Sequence, residues 1–290
     1  MRFLGMLSIF LSTLVIAGCD GAEEKPVLKF TAIPGDNTSD LAAKFKPLEK
    51  YLEKELGVKV KYVPTADYAA SVDSFVNGDV HLAWFGGLTG VRARMKVPGA
   101  RAIVQGMADP EYHTYFIAHK DSNLEKGAGF PKELRGKRVT FGSPGSTSGR
   151  LMPEYFIRKY SKTTPKEFFG AEAHFSGSHE KTAQLVAAGT FEAGAIDYKT
   201  YERLAREKKE IRDSTRIIWK TPPYPDYNWT AHPDLDKKFG EGTIERIRKI
   251  MIDMTEPELL KAINREKLIP AKNEEWDDLA GLAKELGLLR

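Results

Sequence analysis

The apolar positions of this chain follow the short period of a strand, then the longer period of a helix, and the exchange repeats. Val27 to Ile33 (VLKFTAI) predicts a strand, and Pro34 to Ser39 a turn with several N-cap candidates. Leu41, Phe45, Leu48, Leu52 and Leu56 then recur on one helical face, which Gly57 closes. Val58 to Val63 (VKVKYV) alternates as a strand does. Asp67 can cap a helix running to about Asn77, Gly78 ends it, and Val80 to Phe85 (VHLAWF) is a strand again. A β-α-β-α-β order predicts an α/β fold, with a mostly parallel sheet and helices on both faces.

The same order returns further on. Lys137 to Gly142 predicts a strand entering a helix over Leu151 to Tyr160, with Pro153 tolerable only near that helix's start. Ala173 to Phe175 is a strand candidate, Ser178 to about Ala188 a helix, and Phe191 to Ile196 a strand. Phe75-Val76-Asn77-Gly78-Asp79-Val80 and Val186-Ala187-Ala188-Gly189-Thr190-Phe191 each end a helix on glycine and begin a strand two residues later. That suits two similar α/β lobes, and equally suits a chance likeness between common turns. Gly242 to Arg290 is predicted helical from its leucine and isoleucine spacing.

Composition narrows the class. At 290 residues, 41% hydrophobic and 29% charged, the chain can build one or two globular domains. Its formal charge of +4 is spread among interleaved acids and bases, with no Lys- or Arg-rich tract, which argues against nucleic acid as a partner. Glu23-Glu24 and Glu207 to Glu210 read as solvated faces. At the N-terminus Arg2 precedes a mostly apolar run, Phe3 to Ala17, too short and too near the start for a membrane span and suited to a signal peptide over residues 1–18. Ile16-Ala17-Gly18-Cys19 resembles the lipobox of bacterial lipoproteins. The resemblance implies cleavage before Cys19, lipid on its thiol, and contact with the membrane through that lipid alone. A plain signal peptide followed by an incidental cysteine is the alternative. Cys19 is the sole cysteine, so no intramolecular disulfide can form. Asp20 resembles the residue that retains such proteins at the inner membrane, and residues 19–26 read as a polar tether.

The stretch richest in chemistry is Gly142-Ser143-Pro144-Gly145-Ser146-Thr147-Ser148-Gly149, between a predicted strand and a predicted helix. Glycines permit a tight turn that gathers backbone N–H groups. The helix start adds N–H groups without intrahelical acceptors and a partial positive charge. Ser146, Thr147 and Ser148 add uncharged donors. This collection suits an oxyanion. No lysine follows the glycines, so it is not a nucleotide-type phosphate loop. An ordinary Ser/Thr cap with a flexible approach is the plain alternative.

Several segments together carry a family resemblance: Asp67-Tyr68-Ala69-Ala70 through Ala83-Trp84-Phe85-Gly86-Gly87, the Ser-Thr-Ser-Gly loop, Ser178-His179, and Gly194-Ala195-Ile196-Asp197. In order and spacing they resemble the periplasmic phosphate, phosphite and phosphonate binding proteins of ABC importers. The resemblance implies the two-lobed type II periplasmic-binding fold with two hinge crossings. Lobe one would comprise residues 27–115 and 221–290, and lobe two residues 116–220. It also implies capture of a small oxyanion in the cleft, delivery to an ABC permease and ATPase, no cofactor or metal, and action as a monomer. Carried over residue by residue, Ser146, Thr147 and Ser148 match the oxyanion loop, Tyr68 a ligand-facing tyrosine of lobe one, and His179 and Asp197 polar contacts of lobe two. Trp84, Phe85 and Tyr227 are candidate cleft walls. Phe85 departs from the pattern, since phosphonate binders tend to carry tyrosine there. Phe141 to Pro153 and Pro222 to Trp229 most resemble a branch assigned to selenate. An ionised Asp197 facing the ligand would favour an anion that brings its own proton, hence a phosphorus oxyanion over selenate.

Each of these residues also has a plain reading. His179 can be a solvated first-turn residue, Asp197 a helix cap, Trp84-Phe85 lobe core, and Tyr224, Tyr227 and Trp229 parts of a rigid hinge loop. His179, Asp197 and the hydroxyl loop could in principle form an enzyme's nucleophile, base and orienter. No nucleophile elbow, metal-ligand spacing or second cysteine supports that, and a lipid-tethered receptor does not call for it. A ligand-sensing partner of a membrane receptor is the remaining rival.

Overall fold

The computed structural model describes residues 26–35 and 38–289. The candidate signal segment, Cys19, Asp20 and the tether as far as residue 25 lie outside the described residues. In chain order the strands are β1 (Leu28–Ala32), β2 (Val60–Tyr62), β3 (Leu82–Phe85), β4 (Arg101–Gly106), β5 (Thr114–His119), β6 (Val139–Phe141), β7 (His174–Phe175), β8 (Ala193–Asp197), β9 (Thr215–Lys220), β10 (Asn228–Ala231) and β11 (Leu268–Pro270). They form two sheets, ordered β11-β4-β10-β3-β1-β2 and β7-β6-β8-β5-β9.

The predicted apolar face of the first helix, Thr38–Leu56, lies against the first sheet. Leu41, Phe45, Leu48, Leu52 and Leu56 are all buried, and Phe45 stacks on Tyr62 with ring centroids 4.6 Å apart. Asp67 caps the helix Tyr68–Val76 by accepting from the Ala70 N–H at 2.8 Å. Ser178 caps His179–Ala187 in the same way through the Lys181 N–H. Gly78 and Gly189, which close these two helices, both adopt positive φ (74° and 70°), a conformation that costs a side-chain-bearing residue energy. The likeness between the two segments is therefore a shared helix-ending geometry.

Two expectations need correction. The sheets are mixed rather than mostly parallel. Parallel pairing is confined to β1 with β2 and β3, and to β6 with β7 and β8. β10 runs antiparallel to both β3 and β4, and β5 antiparallel to both β8 and β9. These are the strands reached through the two crossings between sheets, so they enter from the direction opposite to strands that follow a helical crossover. The C-terminal part is also not wholly helical: Leu268-Ile269-Pro270 pairs antiparallel with β4 at the sheet edge, where a proline is tolerated.

The chain passes from one sheet to the other between β4 and β5, and back between β9 and β10. Thr114 and Tyr115 already pair with Asp197 and Ile196, so the second sheet begins at Thr114. The crossings lie side by side. The Tyr112 N–H donates to the Tyr224 carbonyl (2.9 Å), the Tyr224 N–H donates back (3.0 Å), and the Asp226 N–H donates to the Asp109 carbonyl (3.0 Å). A two-lobed type II architecture results, with the lobes touching across the cleft. At its rim Lys199 of the second lobe pairs with Glu266 of the first at 2.6 Å.

Candidate functional site

The hydroxyl loop sits where a parallel strand of the second sheet, β6, meets its following helix. Ser146 is the N-cap: its side chain accepts from the Gly149 N–H at 2.9 Å. Thr147–Leu151 is a wide π-type turn, and the α-helix proper, Met152–Ser161, follows with Pro153 in its first turn. The Gly142 N–H donates to the Gly149 carbonyl at 2.8 Å. A Cβ on Gly149 would stand 3.0 Å from the Gly142 Cα and 3.1 Å from the His179 ring, so this close approach demands glycine.

His179 is the hub of the second lobe's share. It is buried, and its Nε2 lies 3.4 Å from each of Ser146 Oγ, Ser148 Oγ and Asp197 Oδ2. Its Nδ1 lies 3.4 Å from the Asp197 N–H. Asp197 Oδ1 accepts from the Tyr112 hydroxyl (2.7 Å) and from the Thr200 N–H (2.8 Å), capping the helix Tyr198–Glu207. Burial alone would push the Asp197 carboxyl up. The adjacent His179, with Thr200 and Tyr112, more than offsets that and holds it below the usual value. Among the described residues Asp197 Oδ2, 3.4 Å from the His179 ring nitrogen, has no hydrogen-bond partner.

Asp226, on the second crossing, is the site's other carboxylate, and pattern reading passed over it in favour of its neighbour Tyr227. It is buried; its Oδ1 accepts from the Gly87 N–H at 2.9 Å, and its Oδ2 has no hydrogen-bond partner. Its backbone is fixed by the Asp109 carbonyl and by the Trp276 indole, which donates to the Asp226 carbonyl at 2.8 Å. Burial pushes its carboxyl up to about 7. The Gly87 N–H and the nearby Thr147 hydroxyl pull it down, and the charges of Asp109 and Asp197 push it further up. Thr147 itself spans the cleft, its Oγ1 accepting from the Leu88 N–H of the first lobe at 3.0 Å.

Beside these groups lies a cavity of about 60 Å³. Ile33, Trp84 and Tyr227 of the first lobe line it, as do Tyr112 of the first crossing and Thr200 and Arg203 of the second lobe. Arg265, buried, lines it too, its guanidinium gripped by Asp109 (2.6–2.9 Å) and by the carbonyls of Ile263 and Asn264. The same group lies 4.8–5.2 Å from the ring centroids of Trp84, Tyr112 and Tyr227. Burial opposes its charge, but Asp109 and the tyrosines outweigh burial and it holds its proton more tightly than a free arginine.

The structure therefore gathers Ser146, Thr147, Ser148, His179 and Asp197 at one place on the second lobe. Tyr68 is buried with its Cβ against Gly145 of the loop, and Trp84 and Tyr227 stack 5.3 Å apart as walls of the adjoining cavity. Phe85 is not among those walls: it packs edge-on to Phe75 inside the first lobe, with centroids 5.6 Å apart. Asp109, Asp226 and Arg265 were invisible to periodicity because they lie far apart in the chain and meet only through the crossings. The one available signal was an aspartate set among prolines and tyrosines. Among the described residues no group of three His, Cys, Asp or Glu is placed to hold a metal ion, and no helix is long and apolar enough to cross a membrane.

A family model of the phosphonate ABC transporter periplasmic substrate-binding protein matches residues 30–276. The chain is 36% identical over 271 residues to a probable ABC transporter phosphite binding protein of Prochlorococcus marinus, covering 91% of each chain. It is 30% identical over 230 residues to a phosphate-import protein of Mycolicibacterium smegmatis, covering 72% of this chain and 70% of that one. A solved structure of the Prochlorococcus protein in complex with methylphosphonate superposes with a TM-score of 0.86, covering 90% of this chain and 98% of that one. With the two-lobed fold, the donor loop and this match over nearly the whole described chain, the protein belongs to the periplasmic phosphonate-binding family of ABC transporter substrate-binding proteins, and serves as a transporter component and not as an enzyme.

Proposed function

We propose that this protein captures a small tetrahedral phosphorus oxyanion, namely phosphite, phosphate or a short phosphonate, and delivers it to its permease and ATPase. The anion's oxygens rest on the Ser146 to Ser148 hydroxyls, the N–H groups of that turn, and His179. The observation that carries the reading is the unpartnered Oδ2 of Asp226, buried beside Thr147, which itself belongs to a loop otherwise made of donors. A carboxyl poised near neutrality shares one proton with an anion oxygen, and a phosphorus oxyanion brings that proton itself. Sulfate and selenate carry none near neutral pH, so Asp226 would have to supply it. Asp197 also keeps an unpartnered Oδ2, but its carboxyl is held low whereas burial raises that of Asp226 to about 7, so Asp226 takes the proton-reading part that the sequence suggested for Asp197. The named relatives, a phosphite binder and a phosphate importer, point the same way. A thermal-shift panel of phosphite, phosphate, methylphosphonate, sulfate and selenate tests this. A cognate ligand at about one hundred times its dissociation constant adds about 2.7 kcal/mol. Stabilisation by selenate or sulfate alone would sink the phosphorus assignment.

The lipid anchor is a separate proposal, resting on the lipobox-like Ile16-Ala17-Gly18-Cys19. Cys19→Ser is expected to abolish lipid modification and release the protein from the membrane fraction. Palmitate labelling that persists in this variant refutes the anchor.

A further inference from the structure

We infer that Thr114, where the first crossing enters the second sheet, is a positioning residue for anion capture: with Tyr224 of the second crossing it forms a hydrogen-bond chain that ends on the Ser146 hydroxyl. This rests on the function proposed above. The need for the chain starts with Pro153. In the wide turn Thr147–Leu151 a carbonyl is reached by the N–H five residues on. The Leu151 N–H donates to the Ser146 carbonyl at 3.1 Å, and the Met152 N–H to the Thr147 carbonyl. The next donor in that series would be residue 153, a proline with no N–H. The Ser148 carbonyl is left to find a partner outside the turn, at a buried position where an unmet acceptor is costly. Thr114 is that partner: its Oγ1 donates to the Ser148 carbonyl at 2.8 Å.

The direction of the other bonds follows from counting protons. A hydroxyl carries one proton, and Thr114 gives its own to a carbonyl, which can only accept. The Tyr224 hydroxyl, 2.6 Å from Thr114 Oγ1, is therefore the donor of that pair. On the far side of the Ser148–Gly149 peptide, the Gly149 N–H donates to Ser146 Oγ at 2.9 Å. A peptide whose oxygen accepts a hydrogen bond has a more polar N–H, and a hydroxyl that accepts one donates its own proton more strongly. The chain runs from the Tyr224 hydroxyl through the Thr114 hydroxyl and the Ser148–Gly149 peptide to the Ser146 hydroxyl. Its last proton is one that the proposed function gives to the anion. Thr114 is fixed for this part. It is fully buried, its N–H donates to Thr221 Oγ1, and its carbonyl accepts from the Thr221 N–H, both at 3.0 Å. Thr221 and Tyr224 both belong to the second crossing, so the chain forms only when the two crossings lie side by side.

The test is calorimetry with methylphosphonate on the wild type and its variants, joined to amide proton spectra of the ligand-free proteins. Thr114→Val is expected to bind about five- to tenfold more weakly, and Thr114→Ser, which keeps the hydroxyl, within about twofold of the wild type. Tyr224→Phe removes only the first link and is expected to lose about two- to threefold. Added to Thr114→Val, it is expected to cost no more than about a further 1.5-fold, because the tyrosine acts through the threonine. The Gly149 amide proton is expected to move upfield in Thr114→Val and in Tyr224→Phe, and to stay near its wild-type position in Thr114→Ser. A loss of packing alone would not produce that pattern. Should Thr114→Val fail to fold, Tyr224→Phe carries the test through its affinity and its Gly149 resonance. A folded Thr114→Val that binds as the wild type does, a Thr114→Ser as weak as Thr114→Val, or a Gly149 resonance that neither Thr114→Val nor Tyr224→Phe moves, overturns the inference. Failure of phosphite, phosphate and methylphosphonate all to bind the wild type overturns instead the reading on which it rests, and the Gly149 resonance still judges the chain.

Discussion

Arg265→Met is expected to destabilise the protein by about 3–5 kcal/mol, because it leaves Asp109 buried without its countercharge. Methionine nearly conserves the side chain's bulk, so the loss reports the charge and not a cavity. Asp109 would still accept from the Gly106 N–H at its Oδ2, but its Oδ1 would lose every contact that the guanidinium makes. The double variant Asp109→Asn with Arg265→Met removes both charges and is expected to recover most of the loss. Urea unfolding of the two variants beside the wild type decides the matter. A single-variant cost below about 1 kcal/mol would mean that the ion pair does not hold the crossings together.

Asp226→Asn is expected to change stability in a pH-dependent way. The Asp226 carboxyl rises from 3.8 to about 7 on folding. A carboxyl whose folded value is the higher one binds its proton more tightly in the folded state. Its stabilising share is complete below about pH 4 and is lost as pH climbs through about 7. A rise of about three units corresponds to about 4 kcal/mol at most. The ligand-free variant is therefore expected to match the wild type near pH 4, apart from a constant offset, and to gain on it by up to that amount near pH 8. Binding moves the opposite way. With its one oxygen held by the Gly87 N–H, asparagine turns its NH2 to the ligand, where it can donate but not accept, so affinity for phosphite is expected to fall at least about tenfold, with sulfate gaining relative to it. Calorimetric unfolding at several pH values reads the first effect and titration the second. A stability difference between variant and wild type that stays flat from pH 4 to 8 removes Asp226 as the titrating group.

Local physics made much of the frame legible. The spacing of Leu41, Phe45, Leu48, Leu52 and Leu56, and the caps Asp67 and Ser178, recur in the structure as the pattern predicts. So does the setting of Ser146 to Ser148 at a strand-to-helix turn, because each depends on neighbours within a few residues. The mixed pairing of β5 and β10 was not legible, since strand direction is set by where a crossing delivers the chain. Pro270 looks like a strand breaker in isolation, and only its edge position makes β11 acceptable. Asp109, Asp226 and Arg265 stayed hidden for the same kind of reason. Their meaning is relational: an aspartate on each crossing and an arginine from the C-terminal part, joined by burial and not by spacing.

The contact between Thr147 and Leu88 ties grip to shutting. The hydroxyl loop proposed to hold the anion is also the surface the opposite lobe clasps, with the Thr147 oxygen accepting from the Leu88 N–H. A loop engaged by cargo is held in the posture the clasp needs, and a clasped loop is poised for cargo. On the proposed function the two events therefore reinforce one another. If the loop holds the anion as proposed, unloading needs no separate eviction step: a force that parts the lobes pulls Leu88 from Thr147 and, in the same stroke, dissolves the cradle.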